Sequence, residues 1–363
     1  MNELEYLLQL KQQNPTDDKI LSQLAFYYLK NPDGNKELEY FKQAYELNPS
    51  IKNTHNYAFW LYYEYGQDEV ALELFQQLMA KNPKSFYPYM AYGQFLYGCT
   101  NFSEDFKFLK SNSYQLIKLY QKAIPLFDNS PQEYQNSHQH ELAYLYNNLA
   151  NIYLVQQNFT DADNYYNQAI HVFSTISQDN QTDLNPDRLN EYLYFTALNK
   201  VRLKILADDM TTAKIFLATA KQNPQADNYD IAHLYAIMGD NQACYDIIKG
   251  QEIDLSWDWI WQAIYEIEPS DYNGQVATQI QREIIWLNEH KAELANCQES
   301  SEQEKIKEWI LDGEKTLSEL KNKQKQQPML QLSIKEQCLV DLRYFSKCWL
   351  FGCEHCNNLA DDE

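Results

Sequence analysis

The chain has 363 residues, 44% of them apolar, which is enough to form a substantial core and excludes a disordered tail. Nine glycines and eleven prolines make only 20 of the 363 residues, so tight turns that need positive φ are scarce. An all-β or nucleotide-loop architecture is therefore not expected. The net charge of −21 repels a phosphate backbone, which argues against a nucleic-acid partner.

The first residues, Met1–Tyr6, contain neither the basic region nor the apolar region of a secretory signal. No apolar run approaches the roughly 18 to 20 residues needed to cross a bilayer. The seven cysteines are an odd number and resemble reduced thiols more than a disulfide framework. We therefore expect a cytoplasmic protein that does not bind a membrane.

The strongest pattern in the chain is an Asn-Pro dipeptide that begins at Asn14, Asn48 and Asn82, and so recurs at a constant interval. Proline disfavours α geometry at the residue before it and has no amide hydrogen to donate, so each dipeptide predicts the end of a helix. Fixed spacing of this kind is typical of a repeat protein.

Between the dipeptides the pattern predicts a helix, a short turn at 31–34 and a second helix. The apolar stripe of the first helix is Leu21, Leu24, Ala25 and Tyr28, and that of the second is Leu38, Phe41 and Ala44. The small Ala25 allows two antiparallel helices to approach closely. This combination resembles the tetratricopeptide repeat (TPR), which implies a right-handed solenoid of helical hairpins.

The resemblance covers residues 1–250, as a half-repeat at 2–15 followed by five to six helix pairs. The best copy is 143–170, where all seven signature positions fit. The other copies are 18–49, 54–83, 87–127 with an insertion at 99–113, and the weaker 190–224 and 230–249.

In the C-terminal region, 251–363, the constant interval disappears, but helical patterning continues. Two apolar seams predict an amphipathic hairpin, one from Val276 to Leu294 and one from Ile306 to Leu320. A final apolar segment, from Met329 to Phe351, predicts a last helix that docks on the others or presents a patch to a partner.

TPR proteins usually bind partners in the concave groove formed by first-helix positions outside the packing signature. The resemblance places the following residues there: Phe26, Leu29, His55, Phe59, Tyr62, Tyr63, Tyr87, Met90, Gln94, Tyr97, Tyr144, Asn147 and Asn151. Most of these side chains carry a ring, and tyrosine in particular combines a rigid apolar face with a hydroxyl. A protein or peptide partner is therefore expected. The alternative is that a chain with 29 tyrosines places some of them here by chance.

Charge favours a basic partner over an acidic one. Neither Lys nor Arg occurs from Ala123 to Asp187, and residues 222–281 contain Lys249 as the one cation. A negative surface would attract a basic protein, although plain solubility is the alternative explanation. TPR proteins that clamp a terminal carboxylate alternate Lys with Asn on the groove helices. Here the asparagines are present without the lysines, so an anion clamp is not expected.

Two clusters contain residue types that ligate metals. His138 and His140 are two residues apart and would splay across a helix, so we interpret them as a polar helix start. The sequence leaves open whether Cys348, Cys353, His355 and Cys356 bind zinc or are plain thiols.

Glycine-rich phosphate loops and nucleophile elbows are absent from the sequence, so we expect no catalysis and no cofactor. We interpret the chain as an all-α TPR-like scaffold with an aromatic, acidic groove, for example an adaptor or an immunity protein that neutralises a basic toxin. The alternative is a TPR regulator that senses a peptide and releases its C-terminal helices.

Overall fold

A computed structural model describes residues 2–98, 106–176, 185–254, 256–297, 300–328 and 330–345. Within these ranges the regular structure is helical. The first ten helices are α1 (Glu3–Gln13), α2 (Asp18–Lys30), α3 (Lys36–Leu47), α4 (Ile51–Tyr63), α5 (Asp68–Lys81), α6 (Phe86–Gly98), α7 (Phe106–Asp128), α8 (Gln132–Val155), α9 (Phe159–Ile176) and α10 (Pro186–Leu206). The others are α11 (Met210–Ala220), α12 (Asn228–Ile237), α13 (Asn241–Ile248), α14 (Asp258–Ile267), α15 (Pro269–Asn296), α16 (Ser300–Lys325) and α17 (Ile334–Val340).

The chain divides into two compact units. In the described part, unit 1 contains the residues up to Leu203 together with those from Leu339 onward, and unit 2 contains Lys204 to Cys338. The sequence-based boundary at residue 250 stays a prediction. Among the described helices, none is both long enough and apolar enough to span a bilayer.

Unit 1 consists of consecutive helix pairs, and the predicted TPR-like packing is confirmed. Helices α2 and α3, α4 and α5, α6 and α7, and α8 and α9 pack as hairpins, and each hairpin contacts the next. Small residues lie where the helices approach: Ala25, Ala58 and Ala150 are fully buried. These positions carry only a methyl group, so two helix backbones can come close without leaving a void.

The Asn-Pro dipeptides end helices as predicted. Helices α1, α3 and α5 stop at the residue before Asn14, Asn48 and Asn82, and each of these asparagines is the C-cap. The backbone N–H of Asn48 still donates to the carbonyl of Ala44 at 3.0 Å, but the proline that follows has no hydrogen to continue the pattern. The interval between the dipeptides is therefore a physical helix-pair period.

Unit 2 has a core centred on Trp261, whose side chain is fully buried and whose Nε1 donates to the carbonyl of Asp254 at 2.9 Å. The hairpin predicted from the two apolar seams is present as α15 and α16, which pack along their length. Gly313 allows this close approach, because a Cβ there would overlap the ring of Trp286.

The last apolar segment differs from its prediction. The sequence predicts one helix from Met329 to Phe351, but in the described part the helix runs only from Ile334 to Val340. The following residues are not helical, and Leu342 and Phe345 are buried. An extended chain leaves its backbone N–H and C=O groups open to partners other than its own helix, and here side chains of α8 and α10 bind them.

Gly93 on α6 provides a test of the pair packing. A Cβ at this position would overlap the fully buried ring of Tyr120 on α7. We expect Gly93→Ala to destabilise unit 1 by about 1 to 3 kcal/mol, because the ring has no free space to move into. Urea unfolding followed by circular dichroism measures this change.

The matched control is Gly274→Ala on α15, where a Cβ meets no atom within 4 Å. Because alanine favours helix over glycine, this variant should gain about 0.5 to 1 kcal/mol. Equal stability changes in the two variants would contradict the close approach of α6 and α7.

Candidate peptide-binding groove

Four asparagines of unit 1 form a buried cluster on the helices α8 and α10. Asn147, Asn148 and Asn151 lie on α8 and Asn199 lies on α10. Each of the four side chains has 0% exposure. A buried amide that lacks hydrogen bonds costs about 1 to 3 kcal/mol, so this asparagine cluster requires polar partners.

The partner is the chain itself. We define the tail segment as residues 341–345. The backbone N–H of Arg343 donates to Oδ1 of Asn199 at 2.9 Å, and its carbonyl accepts from Nδ2 of Asn199 at 2.7 Å. Nδ2 of Asn147 and Nδ2 of Asn151 donate to the same carbonyl at 2.9 and 3.0 Å. One amide thus binds both backbone groups of a single residue.

Two residues later the same arrangement recurs. The backbone N–H of Phe345 donates to Oδ1 of Asn148 at 2.8 Å, and its carbonyl accepts from Nδ2 of Asn148 at 2.6 Å. In an extended chain, residues two apart present their N–H and C=O to the same side. Asn199 and Asn148 therefore substitute for the edge of a neighbouring strand and select extended backbone.

The side chains of the tail segment alternate between two aromatic surfaces. The ring of Tyr344 stacks on Tyr97 of α6 with centroids 4.7 Å apart and planes at 6°. The ring of Phe345 lies 4.9 Å from Tyr192 and 5.9 Å from Tyr144, on the other side. Such alternation is what an extended segment gives. We call the surface formed by α6, α8 and α10 the groove.

Phe345 is the anchor of the tail segment in the groove. Its side chain is 3% exposed and packs with Tyr144, Phe173 and Leu189. Arg343 is exposed, and its guanidinium lies 5.1 Å from the ring centroid of Phe195. Burial of a phenylalanine side chain is worth about 1.5 to 3 kcal/mol, more than an exposed cation–π contact of about 0.5 to 1 kcal/mol.

Two tyrosine hydroxyls fix the orientation of the asparagine cluster. The hydroxyl of Tyr166 donates to Oδ1 of Asn151 at 2.5 Å, and the hydroxyl of Tyr97 accepts from Nδ2 of Asn151 at 3.1 Å. Burial raises the pKa of both tyrosines above the ordinary value. Both hydroxyls therefore remain protonated at neutral pH, and the hydrogen-bond network is fixed there.

Arg202 follows Asn199 by three residues on α10 and is 3% exposed. Its charge acts on the neighbouring Tyr166. In the described part of the chain, its Nε and Nη1 atoms are buried and form no hydrogen bond. Arg202 is thus a buried cation near Tyr166, the residue whose hydroxyl donates to Asn151.

The thirteen groove residues predicted from the sequence take three kinds of position. Tyr63 is 63% exposed, while Phe26, Leu29 and Tyr62 are half-buried. The buried ones are His55, Phe59, Tyr87, Met90, Gln94, Tyr97, Tyr144, Asn147 and Asn151. Tyr97, Tyr144, Asn147 and Asn151 meet around the tail segment.

The more N-terminal candidates pack among themselves. Nδ1 of His55 lies 3.3 Å from the hydroxyl of Tyr87, and its ring stacks on Phe59. The ring of Tyr62 meets Phe95 edge-on at 5.0 Å. These contacts lie within α4 or between α4 and α6, and none of them involves the tail segment.

Sequence reasoning missed the contribution of α10. The spacing of Tyr144, Asn147 and Asn151 on α8 recurs on α10. There it is formed by Tyr192, Phe195 and Asn199, each shifted by the same number of residues. This repetition is the signal that points to them. It is obscured because α10 carries the bulky Leu198 where α8 carries the small Ala150.

Of the candidate metal ligands, His138 and His140 lie in the described part of the chain. His138 has non-helical backbone angles at a kink in α8, and its ring stacks on Tyr134 at 4.0 Å. Among the residues that the structure describes, no three His, Cys, Asp or Glu side chains are grouped to hold a metal ion. Cys348, Cys353, His355 and Cys356 lie outside the described residues.

Asn148→Asp tests the pair of hydrogen bonds between the side chain of Asn148 and the backbone of Phe345. The new carboxylate still accepts from the N–H of Phe345 but has no hydrogen for its carbonyl, so two oxygens face each other. We expect docking of the tail segment to lose about 1 to 3 kcal/mol. In hydrogen exchange followed by mass spectrometry, protection of the peptide that covers residues 339–345 should fall about tenfold or more.

The control is Asn35→Asp, which adds the same charge at an exposed N-cap whose side chain makes no cap hydrogen bond. It should leave protection of the tail segment unchanged. Unchanged protection in Asn148→Asp as well would show that the asparagine cluster does not hold the segment.

No protein-family model matches the chain, and no curated protein is significantly similar to it. A solved structure from the functional characterization of Pseudomonas aeruginosa pilF is 15% identical, covers 70% of this chain and 92% of its own, and has a TM-score of 0.44. The structure of Naa15/Naa10 bound to HypK-THB is 19% identical, covers 77% of this chain and 42% of its own, and has a TM-score of 0.25. Because both TM-scores are below 0.5, the fold is assigned from the repeat spacing and the helix packing of this chain alone. By these features the chain is an all-α protein of TPR-like helix pairs.

Proposed function

We propose that this protein is a non-catalytic, cytoplasmic binding protein whose groove binds an extended segment of a partner protein. The observation that carries the proposal is the clamp of Asn199 and Asn148 on the N–H and C=O of Arg343 and Phe345. Because these hydrogen bonds involve backbone groups, any segment of suitable conformation can form them. Side-chain pockets beside the clamp then supply specificity.

The groove supplies amide hydrogen bonds and ring contacts, which suit binding rather than chemistry. Tyrosine rings offer contact area at low cost in side-chain entropy, and asparagine offers both a donor and an acceptor. Together they can bind a peptide without a charged terminus. This supports the view that the asparagines are not part of a carboxylate clamp.

The narrower proposal is that the partner is a basic protein, for example a cationic toxin that this chain neutralises as an immunity protein. Its support is the net charge of −21 and the exposed carboxylates of Asp128, Glu133 and Asp187 in the stretch without Lys or Arg. Charges of one sign attract an oppositely charged protein over about one Debye length, roughly 8 to 10 Å at physiological salt.

A peptide-sensing regulator is the second candidate function, and the occupied groove favours it. A groove that already holds a segment of its own chain can exchange that segment for a free peptide. Exchange would shift the population of docked and released tails without any chemical step. The two candidates share the groove and differ in the effect that binding has on the rest of the chain.

Selection of displayed peptides tests the proposal. The bait is the full chain with Phe345→Asp, since an anion among Tyr144, Phe173 and Tyr192 should release the tail segment. We expect eight-residue peptides to be enriched with micromolar dissociation constants, and we expect Asn148→Asp added to the bait to weaken them about tenfold or more. Enriched peptides that bind both baits equally would contradict a role of the groove.

Charged residues added beside an enriched peptide test whether the protein favours a basic partner. An enriched peptide is synthesised with three lysines or with three glutamates added at its N-terminus, and association with the same bait is measured by stopped flow. At about 50 mM NaCl we expect the lysine form to associate about tenfold faster or more, and at about 0.5 M the difference should shrink. Equal rates at low salt would remove the electrostatic basis of a cationic partner.

A further inference from the structure

We propose that the tail segment is an internal competitor for the groove, and that the partner peptide has the same side-chain order: a basic residue followed by two aromatic residues. This inference rests on the proposed function and adds the chemistry of the ligand and the regulation of the site. Arg343, Tyr344 and Phe345 each meet a separate surface of the groove.

The pocket for the third side chain is aromatic on several sides. Phe345 is enclosed by rings from three helices, with centroid distances of 4.9 Å to Tyr192, 5.9 Å to Tyr144 and 6.0 Å to Phe173. Two of these rings meet it edge to face, at 66° for Tyr192 and 78° for Phe173. An enclosed aromatic pocket requires an aromatic or large apolar anchor.

The two preceding residues contact different surfaces. Tyr344 stacks nearly parallel on Tyr97, so a flat ring is favoured in the middle position. The guanidinium of Arg343 lies over Phe195 and remains exposed, so a cation is favoured in the first position. With Phe345 in its pocket, the alternation of an extended chain fixes this order.

The bonds that hold the tail segment can be exchanged. The segment has no regular secondary structure, and its hydrogen bonds to the asparagine cluster are side chain to backbone. A second peptide can replace those bonds one for one.

Tethering sets how strongly the tail competes. The tail segment is joined to the groove through unit 2, and we take about 1 mM, the effective concentration typical of a short flexible linker, as the reference value. If the free segment binds the open groove at about 10 μM, the docked form exceeds the open form by about a hundredfold. A free peptide would then bind the wild-type chain about a hundredfold more weakly than a chain with a released tail.

The test uses a fluorescein-labelled peptide of residues 341–346, Asp-Leu-Arg-Tyr-Phe-Ser, and fluorescence anisotropy with full-length protein. Phe345→Asp in the protein should lower the dissociation constant of the probe at least tenfold relative to wild type. Adding Asn148→Asp to that protein should reverse the gain. A scrambled probe should bind at least tenfold more weakly than the native order.

A second variant that releases the tail keeps the test valid if Phe345→Asp does not fold. Arg343→Pro removes the N–H that donates to Asn199 while leaving every groove residue in place. It should give the same gain in probe affinity, and Asn35→Asp should give none. Circular dichroism verifies that each variant retains its helix content.

The outcomes separate the two proposals. Equal probe affinity in wild-type and released-tail proteins would overturn internal competition, and equal affinity for native and scrambled probes would overturn the side-chain order. If selected peptides bind the groove but the tail probe does not, the proposed function stands and this inference fails. If neither the selected peptides nor the tail probe binds the groove, the proposed function fails too.

Discussion

The hydrogen bond between a buried side-chain amide and an extended backbone is the interaction on which the site depends. Asn147, Asn148, Asn151 and Asn199 are fully buried, and burial is costly for a group with two donors and two acceptor lone pairs unless most are used. The packed helices use only part of this capacity, through bonds such as those of Asn151 to Tyr97 and Tyr166, because the helices have already paired their own backbone groups. A strand-like segment is the one element that supplies N–H and C=O at a spacing of two residues.

The small residues of the helix pairs make that interaction possible. Ala150 on α8 is fully buried between Asn148 and Asn151, and its small side chain lets neighbouring helices approach closely. Asn151 connects α8 to Tyr97 on α6 and to Tyr166 on α9, so its rotamer is held from two sides. The scaffold therefore orients the amides independently of the tail segment, which reduces the entropy lost when the segment docks.

The repeat spacing predicts the pairs of unit 1 well, because proline and small residues act locally and leave their mark at fixed intervals. Asn147 and Asn151 could be placed in the groove from the same register. Asn199 and the tail segment could not, for two physical reasons. Leu198 replaces the small residue that marks the register on α10, and the apolar run after Met329 indicates a helix by its composition alone. The extended form of the tail segment depends on hydrogen bonds to Asn199 and Asn148, which lie 144 and 197 residues earlier in the chain.

That separation also has a consequence for biosynthesis. The groove is encoded by residues 86–206, whereas the segment that fills it comes from 343–345, which are synthesised later. During translation, the helices up to α10 can fold while the amides of the asparagine cluster are still hydrated, because folding generally follows the order of emergence. Contacts of such long sequence separation form late, since loop-closure entropy is lost before they contribute. A nascent chain on the ribosome thus passes through a stage in which its groove is accessible.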